Sequence, residues 1–204
     1  MRRVSTSLMT ALLALSLFAC NGAGKGAGAL PDDMSLGNLA AKVTVVEYAS
    51  VGCPVCAKWD QEVFPAFKAK YIDTGKIHYV FREMLVGGDS EVAVASAGFL
   101  LARCAGKDKY FAVNDAVFAS QPAVFDTPRE TLLNVAKSVG MTEAQFTKCV
   151  SDEPSLLALN KRVENNAKSG EVNSTPTFVV NGKKLEAGFQ PLSVLDAAIA
   201  DAAK

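Results

Sequence analysis

The chain reads as an α/β fold, a small mixed β-sheet flanked by helices and interrupted by a long helical block. Three observations carry this reading. Residues 42–48 (KVTVVEY) and 76–85 (KIHYVFREML) are short runs rich in β-branched and aromatic residues, bounded by polar or glycine-containing stretches. Residues 89–170 then carry helical signals with repeated caps. Residues 177–186 (TFVVNGKKLE) return to strand character around Asn181-Gly182, a dipeptide suited to a tight hairpin turn.

Taken in order, the first twenty residues are a separate object. Arg2 and Arg3 precede an apolar run over 8–18 that ends in Ala19 and Cys20, the pattern of a secretory signal. The run falls short of the roughly 20 residues a membrane-spanning helix needs. LFAC resembles the bacterial lipobox, which would make Cys20 the lipidated first residue of the mature chain; ordinary cleavage is the alternative. Residues 21–33 open with NGAGKGAGA and read as a flexible tether, with order expected from about Met34. The strand over 42–48 is apolar on both alternating faces, which predicts a central position covered above and below. Residues 54–72 place Val55, Trp59, Val63, Phe67 and Tyr71 at helical spacing, with Pro65 predicting a kink or an early break. In the helical block, Thr127 with Glu130 and Thr142 with Gln145 predict capping boxes, and Gly106, Gly140 and Gly170 predict stops. Residues 191–203 close the chain as an amphipathic helix.

Composition narrows the function classes. The 204 residues are half apolar, with 21 basic and 21 acidic side chains, enough for a proper core and without the positive excess that nucleic-acid binding requires. The small basic clusters (Lys68 and Lys70, Lys107 and Lys109, Lys183 and Lys184) fit solvated faces. Loss of Arg2 and Arg3 with the leader leaves a slightly acidic mature chain. The five cysteines divide into Cys20 and two pairs, Cys53 with Cys56 and Cys104 with Cys149. In an oxidising compartment two disulfides are possible. A bond between Cys104 and Cys149 would close a loop of about 46 residues and stabilise by about 4 kcal/mol on the chain-entropy account; two free buried cysteines are the alternative.

The chemistry concentrates in VEYASVGCPVCAKW, residues 46–59. A strand, a short loop and a helix opened by CPVC place Cys53 at a helix N-terminus, where unpaired N–H groups and the helix dipole favour an anion. A thiolate there has a depressed pKa, and Pro54 fits the first turn, where its missing N–H costs nothing. Cys53 is therefore expected as the exposed attacking sulfur and Cys56 as its buried partner. A zinc site needs four ligands, but there is no second CxxC and one histidine only, His78, which lies mid-strand as a packed or edge residue. Copper(I) held by the CxxC alone stays open. Glu47 is costly on a strand apolar on both faces unless paired or functional; burial would make it a poised proton acceptor, while a solvated strand end would make it an ordinary surface acid. Thr175-Pro176 precedes the hairpin, where an X-Pro bond is ordinarily trans.

LGN, KVTVVEYAS and CPVC near the start, with NSTPTFVVNGK near the end and a helical block between them, resemble the DsbA-like thiol:disulfide oxidoreductases of the thioredoxin superfamily. The resemblance implies a thioredoxin fold over 34–88 and 171–204 with an inserted helical domain over 89–170. It implies that Cys53 is the nucleophilic cysteine, Cys56 the resolving one and Glu47 the buried acid. Thr175 and Pro176 become the residue before the cis-proline and the cis-proline itself, in a loop that offers backbone groups to an extended substrate strand. It further implies an exported enzyme on the periplasmic side of a bacterial envelope that exchanges disulfides with unfolded or partly folded exported proteins. Such an enzyme requires no bound cofactor and no metal. It is recycled by a membrane redox partner, either a quinone-linked oxidase or a transmembrane reductase. Dimeric isomerases of the superfamily carry a substantial N-terminal dimerisation domain, whereas a short glycine-rich segment precedes the fold here; a monomeric oxidase is the expectation rather than an isomerase. Strongly oxidising members often hold histidine between the cysteines, and Val55 offers no hydrogen bond to the Cys53 thiolate, which predicts a less oxidising pair. A periplasmic reductase, a Cu(I) carrier and a holdase using the same groove are the rival readings.

Overall fold

The computed structural model describes Leu30 and residues 32–204. The leader over 1–20, with Cys20, lies outside the described residues, as does most of the tether.

A mixed five-stranded sheet organises the chain, built from β1 (Met34–Gly37), β2 (Val43–Ala49), β3 (Ile77–Glu83), β4 (Thr177–Val180) and β5 (Lys183–Lys184) in the spatial order β1-β3-β2-β4-β5. β2 sits in the middle, parallel to β3 and antiparallel to β4. Its side chains alternate as a two-sided strand demands. Val43, Val45 and Ala49 enter the main core, whereas Val46 and Tyr48 join a smaller cluster with Val80, Met84, Val172 and Val179 on the other face. Glu47 has the parity of Val45 and so points to the main-core side.

After β2 the chain enters α1 (Pro54–Glu62), breaks at Val63, and continues through α2 (Phe64–Phe67) and a π-helical turn (Lys68–Ile72). The break falls where Pro65 dictates: a proline within a continuous helix would lose a hydrogen bond and clash with the carbonyl four residues back, but it is tolerated in the first turn of a new one. Trp59 anchors this side of the core. It is 1 % exposed, its ring centroid is 4.7 Å from that of Phe178, and its indole N–H donates to the Gln190 carbonyl at 2.9 Å.

Between β3 and β4 run α3 (Asp89–Cys104), α4 (Tyr110–Ala119), α5 (Ala123–Asp126), α6 (Pro128–Ser138), α7 (Glu143–Val150) and α8 (Glu153–Gly170). These helices share one core with the sheet: Phe81 of β3 packs edge-on against Phe99 of α3 and Tyr110 of α4, each with ring centroids 6.1 Å apart. Glu83, at the end of β3 and 1 % exposed, accepts from Arg103 Nε at 2.6 Å, Arg162 Nε at 2.9 Å and the Tyr110 hydroxyl at 3.1 Å. One carboxylate thus ties α3, α4 and α8 to the sheet. A disulfide between Cys104 and Cys149 joins the end of α3 to α7. The hairpin turns at Asn181 and Gly182, both with positive φ, and α9 (Leu192–Ala202) packs Leu195 and Ile199 into the core.

Two local expectations differ from the structure, one holds, and one strand was not expected. The Thr127 capping box does not form, because α5 ends immediately before α6 and the Thr127 hydroxyl turns back towards the Ala123 carbonyl. The Thr142–Gln145 box does form, with reciprocal bonds of 3.2 and 2.8 Å. Gly170 is not a left-handed stop; that conformation falls on Glu171 (φ 49°), and Gly170 is small because a Cβ there would lie 2.5 Å from the Tyr48 hydroxyl oxygen. β1, unanticipated, pairs antiparallel to β3, and the Asp33 carboxylate just before it meets the buried Arg82 guanidinium at 3.0 Å.

Candidate active site

The loop after β2 carries the chain from the sheet to the N-terminus of α1. Gly52 permits this path, since any Cβ there would strike the Glu91 carbonyl oxygen of α3 at 2.2 Å. Gln121 Nε2, from the loop after α4, donates to the Val51 carbonyl at 2.9 Å and holds the same turn from the helical side. Cys53 then occupies the N-cap of α1, and its Sγ accepts the Cys56 backbone N–H at 3.4 Å. Pro54 follows at the start of the helix.

The second wall comes from the segment before β4. The Thr175-Pro176 bond is cis, as is Gln121-Pro122. The Cys53 thiol donates to the Thr175 carbonyl at 3.6 Å, and the Pro176 carbonyl is taken by the Gly188 N–H at 2.8 Å. The Thr175 hydroxyl is buried with no partner within ordinary hydrogen-bond distance, and the two thiols are the groups it can favour as a donor. This covering loop changes one expectation: Cys53 is not openly exposed. It keeps 9 % of its surface against none for Cys56, so the order of accessibility holds while attack is confined to a narrow opening. Val55, between the two cysteines, is 43 % exposed.

The two thiols, both free, sit in opposed electrostatic states. The Cys53 pKa is lowered to about 6, chiefly by the hydrogen bond from the Cys56 side chain, against the opposing effect of burial and with help from Thr175 and the backbone N–H groups of Cys56 and Val55. Cys56 is raised well above the ordinary thiol value by burial and by its bond to Cys53. The asymmetry comes chiefly from the hydrogen bond between the two thiols, which favours the thiolate on Cys53 and disfavours it on Cys56, and from the deeper burial of Cys56. The N–H groups at the start of α1 add to it at Cys53.

Three acids are coupled to one another near the pair, one buried, one half-buried and one exposed. Glu47 is 2 % exposed, and burial raises it to about 8, opposed by the donated Tyr79 hydroxyl and reinforced by Asp60 and Cys53. A solvated strand end is therefore excluded for Glu47. Asp60 of α1, half-buried, is raised to about 7 by desolvation and by Asp115. Asp115, on the outer side of α4, is raised to about 6 by desolvation, with Lys68 pulling the other way. The sequence reading did not find Tyr79, Asp60 or Asp115. Asp60 was findable, one helical turn after Cys56 at i+4. Tyr79 shares its face and neighbouring register with Glu47 across the β2–β3 ladder. Asp115 comes close only through the packing of α4 on α1, which no local pattern records.

The structure thus brings Cys53, Cys56, Thr175 and Pro176 together, with Glu47 electrostatically coupled to Cys53. Cys104 and Cys149 lie apart in the helical block. His78 is buried at 4 % exposure, as a packed residue. Among the described residues, no group of three or more His, Cys, Asp or Glu is placed to hold a metal ion, and no helix is long and apolar enough to cross a membrane.

Comparison with known proteins agrees with this geometry. The family described as Thioredoxin matches residues 29–200. A Rickettsia bellii protein provisionally named protein-disulfide oxidoreductase is 35% identical over 158 residues, covering 76% of this chain and 59% of its own length. The chain therefore spans little more than half of that relative. A Bacillus anthracis protein provisionally named disulfide bond formation protein D is 30% identical over 165 residues, covering 78% of this chain and 74% of its own. Among solved structures, alpha-DsbA1 of Wolbachia pipientis superposes with a TM-score of 0.75 at 25% identity, covering 86% of this chain and 92% of that one. With the family match over 29–200, these relatives and the shared architecture, the chain belongs to the thioredoxin family and is DsbA-like within it.

Proposed function

We propose that this protein catalyses thiol–disulfide exchange on extended protein substrates through Cys53 and Cys56, in the oxidising direction. One observation carries the reading: a cysteine at the N-cap of α1 whose pKa is lowered to about 6, beside a second whose pKa is raised, under a loop that leaves the first slightly open and the second closed. In the forward direction a substrate thiolate attacks Cys53 Sγ of the disulfide. The Cys53–Cys56 bond breaks, the electron pair goes to Cys56 Sγ, and a mixed disulfide forms on Cys53. The second substrate thiolate attacks the substrate sulfur of that bond, releasing oxidised substrate and the Cys53 thiolate. Cys56, buried and averse to charge, needs a proton as it leaves. Glu47, protonated at neutral pH with a value of about 8, is the buried acid suited to supply it and to take it back in the reverse reaction.

In this reading Thr175 and Pro176 form the wall that receives the substrate strand: Thr175 pairs through its backbone, while Pro176, with no N–H and its carbonyl held by Gly188, shapes the loop. Residues 34–88 and 171–204 form the catalytic unit, with 89–170 its helical addition. The leader places the protein on the periplasmic side of the envelope, with Cys20 as a lipid anchor, and a membrane redox protein restores the disulfide. The purified chain tests the core of the proposal. Cys53→Ser is expected to abolish both insulin reduction and disulfide formation in a reduced substrate protein; unimpaired activity would mean a binding protein instead. Iodoacetamide should modify Cys53 first, with a midpoint near pH 6, and preferential modification of Cys56 would reverse the assigned roles.

A further inference from the structure

We propose that the Cys104–Cys149 disulfide is a second exchange site, opened by small anionic thiols that bind the cationic cleft beside it. The bond is unequal at its two ends. Cys104 is exposed at the last turn of α3, while Cys149 is 5 % exposed within α7. A cleft of about 500 Å³ opens directly on both cysteines and is lined by Arg103, Lys148, Arg162 and Asp152 among others. That volume lies within the range of small-ligand sites.

The charges of the lining favour an anion and fix where it sits. Arg103 and Arg162 each bond Glu83 through Nε, which holds both guanidinium groups in place rather than leaving them to swing in solvent. Lys148 adds an exposed ammonium one residue before Cys149. Asp152 caps α8, accepting the Ser155 N–H at 3.0 Å, and its charge partly offsets Lys148. Glu83 partly offsets the two arginines, and Arg103 also donates to the Asp32 carbonyl, so three cations face two carboxylates and the surroundings of the cleft stay net cationic. A compact thiol bearing carboxylates can enter; a folded protein's thiol meets a concave opening.

The exchange balances as follows. A thiolate attacks the exposed Cys104 Sγ, the Cys104–Cys149 bond breaks, and its electron pair leaves on Cys149 Sγ, which takes a proton from solvent. A second thiolate attacks the sulfur of the bound thiol, giving the oxidised small disulfide and the Cys104 thiol after protonation. Two thiols are oxidised, and the protein disulfide gains two electrons.

The test uses the full chain with Cys53→Ser and Cys56→Ser, so that the outcome is independent of the function proposed above. The oxidised protein is incubated in its folded state with glutathione or with neutral 2-mercaptoethanol at equal thiolate concentration, quenched by alkylation, and read by mass spectrometry of the peptides holding Cys104 and Cys149. The expected result is a trapped mixed disulfide on Cys104 and faster reaction with glutathione. Lys148→Gln should lower the glutathione rate by about two- to fivefold, the range that exposed ion pairs supply, and leave the neutral-thiol rate unchanged. Equal rates for the two thiols, trapping on Cys149, or reaction only under denaturing conditions would each overturn the proposal.

Discussion

Replacing Glu47 with glutamine isolates the energetic consequence of burying an acid. The Glu47 carboxyl has a folded value of about 8 against an ordinary value of 4.5. The protein therefore has a cost to meet whenever the unfolded chain would ionise and the folded one would not. Below pH 4.5 both states hold the proton and the cost is absent. It grows as pH rises from 4.5 and levels off above about 8. Each pKa unit corresponds to about 1.4 kcal/mol, so the cost is about 3 kcal/mol at pH 7 and about 5 kcal/mol at the plateau. Glutamine keeps a carbonyl to accept the Tyr79 hydroxyl but never ionises. Its amide can lose some of the gain by lacking a partner, a penalty of about 1–3 kcal/mol that does not change with pH. The pH slope is thus the decisive readout. Denaturant unfolding of the reduced wild type and of Glu47→Gln at pH 5, 6, 7 and 8 should show the variant gaining on the wild type by about 3 to 4 kcal/mol across that range. The Cys53 thiol titrates in both proteins and cancels to first order. Parallel pH profiles would refute the argument, because they would mean that Glu47 ionises as readily folded as unfolded.

Further outcomes follow from other parts of the molecule. Val55→His, at an exposed position flanking the Cys53 thiolate, should raise the reduction potential measured against glutathione by about 30–60 mV, the equivalent of one charge-assisted hydrogen bond; no change would remove position 55 as a determinant. Gly170→Ala should destabilise by about 1–3 kcal/mol in denaturant unfolding, because the Tyr48 hydroxyl oxygen lies 2.5 Å from the added carbon and is held by Arg82 at 2.8 Å; the gain of up to about 1 kcal/mol expected for an uncrowded helical glycine would contradict the packing account. Glu83→Ala should cost about 3–5 kcal/mol by leaving Arg103 and Arg162 without their shared buried carboxylate, and a change below 1 kcal/mol would show that the helical block is not tied to β3 through that residue.

Much of the fold was legible because its signals are local. The two long strands, the hairpin at Asn181-Gly182 and the proline break each depend on residues within a few positions of one another. β1 was not legible: four residues ending in glycine carry too little alternation, and the strand is held by its ladder to β3 and by the Asp33–Arg82 pair. Thr127 shows the converse. Its capping-box spacing is correct, but a neighbouring helix offers its hydroxyl another acceptor, and tertiary context decides. In the site, CPVC and Thr175-Pro176 were readable as motifs, and the oddity of Glu47 as a charge among apolar residues. What the sequence could not supply was the degree of cover over Cys53, which depends on a loop more than 120 residues away, and the acids of α1 and α4 that surround Glu47.

Burial opposes charge on both Cys53 and Glu47, more fully on Glu47, and leaves one easily ionised and the other neutral. The rest of the difference lies in the number of donors. Cys53 sits at a helix N-terminus, where backbone N–H groups and the Cys56 thiol outweigh desolvation. Glu47 has one donor, Tyr79, and acidic neighbours. A Cys53 pKa near 6 favours the reduced form by about 1.4 kcal/mol at pH 7 relative to an ordinary thiol, or roughly 30 mV towards an oxidant. That is a small part of the roughly 150 mV separating thioredoxin from the strongly oxidising members of the superfamily. Thiolate stabilisation by α1 alone therefore does not make a strong oxidant of this pair. Any remainder would have to come from interactions that differ between dithiol and disulfide, and the Val55 side chain, which carries no donor, adds none beyond the backbone N–H of that residue. The lowered Cys53 pKa therefore biases the pair only modestly, and under the function proposed above the direction of exchange would rest on what recycles the pair more than on its potential.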